Sequence, residues 1–337
     1  MENATPVIDM CGVVLDAESW EAYLHWFAAD CPNYMRLFAR RFVSLAGVDP
    51  AAYDRALADG PAAAAGLLLE SGRLGADVDR HVARLAGDGI VLQVIHGGMS
   101  PLRSGGTLND RVAEHARRHP GVLRAWAGLD LRDPDAAIKE TRRCVDDLEM
   151  GGVSVTHFAD GTDPLSEGAH RVYAEAERLG VPMWIHAGHN LSSRVAVDHC
   201  AWRQLDAIAR AHPGLTIIAG HGGWPWVLET VSLCQRHPNV YLEFSTHRPL
   251  HMAQPGSGWE PLMAYGRTAI RDKVLFGSVE WVHEMTAGEL AGEVGALRLG
   301  ERTERRWLYA NAAGVLGMDT SSDQAPMARA HKEGARR

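Results

Sequence analysis

The sequence predicts an α/β fold, a single (β/α)8 TIM-like barrel with an insertion after the first strand. Three observations carry this. Eight short β-rich runs recur along the 337 residues. Helical patterns that stop at Pro or Gly lie between most of them. From the second run onward, starts are 25 to 34 residues apart, the period of a strand–helix unit in a parallel sheet. Eight is the number that closes such a barrel; a doubly wound open sheet is the competing architecture.

The runs are Pro6–Cys11, Ile90–His96, Leu123–Leu129, Gly152–His157, Pro182–Ala187, Leu215–His221, Val240–Ser245 and Val274–Ser278. Several are apolar almost throughout, as strands covered on both faces are. Helical patterns cover Leu108–His119, Asp135–Leu148, Glu167–Leu179, Trp202–Ala211 and Trp226–Arg236. The first gap between strand starts is 84 residues, which marks 16–75 as an inserted, aromatic and partly helical segment. Its expected place is over the barrel mouth, as a lid or a dimerisation element. The barrel domain then runs over 1–320, and the polar tail 321–337 reads as disordered.

Composition excludes several classes. With 34 Lys+Arg against 42 Asp+Glu, the formal charge of −8 argues against nucleic-acid or anionic-membrane partners. No apolar run reaches the roughly 18 residues that a membrane span needs. Residues 1–10 lack the basic start and apolar core of a signal peptide. The five cysteines are scattered with no CxxC, as in a reducing compartment, so the expectation is a cytoplasmic protein.

Active sites of such barrels lie at the C-terminal ends of the strands. Those ends here carry Asp9 and Cys11, His96, His157, His186 and His189, and His221 with Trp224. The last two carry Glu243, Ser245, Thr246 and His247, then Ser278, Glu280 and His283. Imidazoles bind transition metals and also carry protons near neutral pH. His186 and His221, on neighbouring strands and each followed by a Gly-containing turn, are the leading catalytic candidates. Any one strand-end His taken alone reads equally as a hydrogen-bonded structural residue or a catalytic one. Cys11 is by type a small buried hydrophobe or a participant in chemistry. Glu243 falls inside the seventh strand, which leaves its direction open. Trp224 and Trp226 line a pocket or cover the core. There is no GxGxxG or GxxxxGK[ST] run, which removes the common phosphate-binding readings.

The order of motifs resembles the amidohydrolase superfamily, in particular the group that includes aminocarboxymuconate-semialdehyde and resorcylate-type decarboxylases. The resemblance rests on Val181-Pro-Met-Trp-Ile-His186-Ala-Gly, the run from His212-Pro-Gly to His221-Gly-Gly-Trp, and Asn239-Val-Tyr-Leu-Glu-Phe-Ser245. Leu275-Phe-Gly-Ser278 and Asn311-Ala-Ala-Gly-Val-Leu-Gly317 add to it. It implies one divalent metal held by an HxH pair after the first strand, a His on the fifth, a His on the sixth and an Asp on the eighth. The fifth and sixth positions match as His186 and His221. The first-strand motif reads Asp9-Met10-Cys11-Gly12-Val13, so Cys11 and Val13 stand where two ligands are expected. On the eighth strand the Asp becomes Val279 in an ungapped alignment, or Glu280 if a one-residue bulge is allowed; the second is preferred. The lysine that bridges two metals in other branches is absent, since Ser154 falls near its place, so a binuclear site is not expected.

The expectation is therefore an enzyme of this family acting on a small carboxylated ring, lactone or amide by hydrolysis or non-oxidative decarboxylation. His186, His221, Glu280 and Cys11 carry the acid–base chemistry, with the metal site lost or altered. His96, His157, His189, Trp224, Thr246, His247, Ser278 and His283 bind substrate. No cofactor is preferred; failing that, one Zn2+ or Mn2+ sits on Cys11, His186 and His221. A metal-free cyclase or isomerase and a non-catalytic binding barrel are also compatible with these residues. The resemblance further implies a homodimer.

Overall fold

The computed structural model describes residues 5–13 and 16–318, so the tail at 321–337 lies outside the described residues. The strands are β1 (Val7–Gly12), β2 (Ile90–His96), β3 (Leu123–Leu129), β4 (Val153–Val155), β5 (Met183–His186), β6 (Ile217–Gly220), β7 (Val240–Glu243) and β8 (Val274–Leu275). Each pairs in parallel with the next, in the order β1 to β8. Met10 N–H donates to Phe276 O and Val279 N–H to Cys11 O, both at 2.9 Å, which brings β8 back against β1. This is the barrel expected from the eight-fold alternation, not an open sheet.

The barrel interior alternates large and missing side chains. A Cβ at Gly220 on β6 would lie 2.1 Å from the Trp184 indole of β5. One at Gly152, just before β4, would lie 2.5 Å from the Trp126 indole of β3. Each indole occupies the space its neighbouring strand leaves empty, so glycine is required there for volume. Trp126 and Trp184 join Ile8, Met10, Leu92 and Val94 in a core that continues upward into the inserted segment.

That segment forms α1 (Ala17–Asp30), α2 (Pro32–Leu37), α3 (Ala39–Ala46), α4 (Pro50–Asp59) and α5 (Pro61–Glu70), followed by α6 (Val78–Gly87). Asp16 caps α1 by accepting from Ser19 N at 2.8 Å, and Asp49 caps α4 by accepting from Ala52 N at 2.9 Å. The start of α1 is tied to the barrel's outer layer through Arg111, which lies 3.2 Å from Asp16 and 2.7 Å from Glu18. Its far side buries Trp20, Leu24 and Phe27 against Phe42 and Trp281, so the cap packs across the mouth. No helix among the described residues is long and apolar enough to cross a membrane.

Candidate active site

A cavity of about 770 Å³ opens between the C-terminal ends of the strands and the cap. Cys11, His96, His186 and His221 line its deep end, with His189, Trp224, Thr246 and His247 on the wall. The imidazoles of His186 and His221 lie edge to face, ring centroids 4.9 Å apart. Both are buried deeply enough that desolvation disfavours their charged forms. The His186 pKa falls to about 3 and that of His221 well below its ordinary value, with neighbouring histidines adding to the effect. His96 and His247 are pushed down to about 4 by the same burial. The floor of the cavity is therefore a set of neutral imidazoles.

His221 is wired to a buried carboxyl. Its Nδ1 lies 2.8 Å from Ser245 Oγ, and Ser245 Oγ donates to Glu243 Oε2 at 2.9 Å. Trp184 Nε1–H donates to the same oxygen at 3.0 Å. Burial raises the Glu243 pKa to about 7, against the lowering effect of these donors. Trp184 and His186, two residues apart within β5, lie on one face of that strand. Ser245 lies two residues past the end of β7, where its hydroxyl reaches back to the Glu243 carboxyl. Ser245 and Trp184 are not among the catalytic or substrate-binding residues expected from the sequence. His186 Nδ1, by contrast, is buried with no hydrogen-bond partner among the described residues. A buried polar atom without a partner costs about 1–3 kcal/mol, which marks it as a place for a ligand.

Four expected site residues lie off the cavity wall. Glu280, preferred as the proton carrier, accepts both Arg84 NH groups at 2.9 and 2.7 Å and Ala287 N–H at 2.6 Å. Val279 takes the cavity-lining place instead. The reason is local: Val279 has a left-handed φ of 45°, and the chain turns there into the short helix Glu280–His283, carrying Glu280 outward to α6. The ungapped alignment of the eighth strand is the one the geometry follows. Ser278 is fully buried and donates through N–H and Oγ to Asp9, at 2.9 and 2.6 Å. His157 is enclosed between Thr162 and Tyr173, at 3.0 and 2.8 Å. His283, in the same turn as Glu280, also lies away from the wall.

Three strand-end residues that do line the cavity have left-handed backbones: His221 (φ 61°), Thr246 (φ 65°) and Val279 (φ 45°). For β-branched Thr and Val this conformation is an outlier costing roughly 1–3 kcal/mol, and such strain gathers at functional sites.

The chain is similar to gamma-resorcylate decarboxylase of Rhodococcus jostii strain RHA1, at 34% identity over 143 residues, covering 34% of this chain and 44% of the relative. It spans about half the length of the curated relatives it matches. Among solved structures, an uncharacterised TIM-barrel protein of Bordetella bronchiseptica has TM-score 0.66 at 20% identity, over 93% of this chain and 98% of that one. The 5-carboxyvanillate decarboxylase of Novosphingobium aromaticivorans, complexed with manganese and 4-hydroxy-3-methoxy-5-nitrobenzoic acid, has TM-score 0.64 at 16% identity, over 94% and 97%. These structural likenesses establish the barrel.

The side chains on the cavity wall do not suit such a metal. Val13 and Val279 offer no donor atom. Burial, with Glu243 beside it, pushes the Cys11 thiol well above its ordinary pKa. Among the described residues no three His, Cys, Asp or Glu side chains converge to hold a metal ion. Cys11, His186 and His221 are therefore not brought together as a three-donor set, and the described residues do not by themselves fit a zinc or manganese centre. The expectation of no cofactor draws no support from the manganese-bearing neighbour and rests on this donor set alone.

The strand order, the strand-end histidines and the run of motifs from the fifth strand onward agree with a sequence match of the amidohydrolase family model to residues 102–318. The chain belongs to the amidohydrolase family.

Proposed function

We propose that the protein catalyses non-oxidative decarboxylation of a hydroxylated aromatic acid by acid–base chemistry at His186 and His221, without a resident metal. The observation that carries this reading is the Glu243–Ser245–His221 hydrogen-bond chain facing a cavity of aromatic-acid size. The likeness to resorcylate decarboxylases supplies the reaction class.

A neutral imidazole N–H is by itself too weak an acid to protonate a ring carbon. The chain changes that. When Glu243 is protonated its O–H donates to Ser245 Oγ, Ser245 O–H donates to His221 Nδ1, and Nε2 carries the hydrogen toward the cavity. Transfer of that hydrogen to the carboxyl-bearing ring carbon draws one proton along each link, so the acid consumed is Glu243. His186 accepts a hydrogen bond from the neighbouring ring hydroxyl, whose electron pair assists protonation of the ring. The C–C bond to the carboxylate then breaks, CO2 leaves and the electron pair of that bond restores the aromatic ring. The hydroxyl keeps its proton throughout, and Glu243 is reprotonated from water. The neutral floor assists, since a carboxylate removed from water gains by becoming uncharged CO2.

One observation favours a second reading, isomerisation or cyclisation of an uncharged substrate. Arg132 is the one Lys or Arg on the described cavity wall, and it is already paired with Asp130 and, at 3.6 Å, with Asp30. No cation there is left uncompensated for a substrate carboxylate.

The test is CO2 release from hydroxylated aromatic acids in D2O, using protein exhaustively dialysed against EDTA. Release of CO2 with one deuterium at the vacated ring carbon, unchanged by chelation and abolished by His221→Asn, is expected. Strict dependence on added manganese or zinc overturns the metal-independent reading. Rearranged product without CO2 selects the second.

A further inference from the structure

Size and wall chemistry carry the substrate class further than a single ring. This step rests on the preceding reading only for the end of the cavity at which the reacting ring sits. A benzene-sized ligand fills a cavity of about 150 Å³. The space here, about 770 Å³, is roughly five times that, in the range that encloses molecules of several rings.

The extra room is a directed aromatic wall. From the imidazole pair it runs His221 to His186 at 4.9 Å between centroids, His186 to Phe158 at 4.6 Å and Phe158 to Tyr34 at 5.8 Å. It continues from Tyr34 to Phe27 at 5.1 Å and to Phe38 at 5.5 Å, all five aromatic residues beyond His221 being on the cavity wall. Each step is about one ring long, so the wall extends several rings from the site of protonation into the cap. Charged side chains are few along it, and Val13 and Val279 add apolar surface to it. A single-ring acid at the histidines would leave this apolar length filled with water, which is unfavourable in proportion to the area left wet.

We infer that the substrate is a fused polycyclic aromatic acid, its hydroxylated, carboxyl-bearing ring between His186 and His221 and its remaining rings along Phe158, Tyr34 and Phe38 beneath the cap. Ring-on-ring contacts of offset and edge-to-face geometry are what such a wall offers, each adding to the burial of flat apolar surface. The cap is then the element that selects substrate length, and the barrel is the element that performs chemistry.

Isothermal titration of the intact protein with 1-hydroxy-2-naphthoate and, separately, 2-hydroxybenzoate reads this without turnover. The fused-ring acid is expected to bind at least tenfold more tightly. Ala159→Phe, which fills the wall beside Phe158, and Phe38→Ala, which shortens it, should each weaken naphthoate binding at least fivefold and leave 2-hydroxybenzoate within twofold. The wild-type affinity ratio decides even where a variant fails to fold. Equal affinities, a preference for the single ring, or no saturable naphthoate binding overturns the inference. A retained size preference with no CO2 release from any acid leaves it standing and removes the decarboxylation reading instead.

Discussion

Glu243 is the residue on which most of the chemistry turns, and it makes two pH-dependent predictions. Its folded pKa of about 7 lies above the ordinary 4.5. An acid whose pKa is raised by folding stabilises the protein fully below its unfolded pKa, and that contribution is lost as pH rises through the folded value. A shift of that size corresponds to roughly 3 kcal/mol. Urea unfolding of the wild type should therefore lose stability between pH 4.5 and 7 relative to Glu243→Gln, with the difference levelling off above pH 7. Turnover should fall on the same alkaline limb, because ionised Glu243 has no proton to send to His221. In Glu243→Gln the limb disappears and the rate drops by about 10²–10⁴, the usual worth of a placed proton donor. Glu280→Gln is a contrasting control. Its partner Arg84 is one-third exposed, so the pair is worth about 1 kcal/mol or less, and kcat should stay within twofold.

At the scale of elements, the strand and helix alternation is legible almost residue by residue. β2 and β3 have the bounds expected from Ile90–His96 and Leu123–Leu129, and the helices Glu167–Leu179 and Trp202–Ala211 match as well. These segments combine an apolar period with a Pro or Gly stop, so pattern and punctuation agree. The later strands are shorter than their apolar runs because the chain leaves the ladder where residues such as His221 turn left-handed. A left-handed Val279 has no sequence signature, since valine is among the residues least suited to it, and for that reason the sequence favours Glu280 as the carboxylate. The division of the insertion into α1 to α5 is not legible either, because its aromatic residues satisfy several helical faces at once. His186 and His221 are legible as strand-end residues beside flexible turns. The Trp184–Gly220 contact gives this scale its own prediction. Gly220→Ala places a methyl against an indole that has no space to retreat, and overpacking of this kind costs about 1–3 kcal/mol. Chemical denaturation of the variant checks it, and Trp184→Phe in the same background should recover part of the loss.

Across the whole molecule, the barrel interior and the cap share one apolar cluster, distinct from the one between the strands and the outer helices, yet polar contacts at the rim tether the cap. Arg41 binds Glu284 at 2.7 Å and the Val282 carbonyl at 2.8 Å, and Arg111 holds Asp16 and Glu18. Arg41→Ala combined with Arg111→Ala should speed amide hydrogen exchange across 17–70 at least tenfold and leave β2 to β7 protected. Local opening of a cap governs exchange there, while the barrel opens only with global unfolding. The proposed metal independence is also testable on the whole fold. Binding at one hundred times Kd would stabilise the native state by about 2.7 kcal/mol. Thermal melts with millimolar manganese, millimolar zinc or EDTA should therefore superimpose within about 1 °C.

The left-handed turn at Val279 also bears on evolutionary reversibility. Aspartate tolerates that backbone conformation far better than valine does, so a single codon change to Asp at this position would relieve strain and spread easily if it did no harm. It would not by itself complete the metal site that the family resemblance implies. Position 13 would still be valine, Cys11 would still be a buried thiol, and Glu280 would remain fixed to Arg84 on the outside of the barrel. Completing such a site needs several further replacements. Lineages that carry this turn should consequently diversify through the cap, with the strand ends holding still.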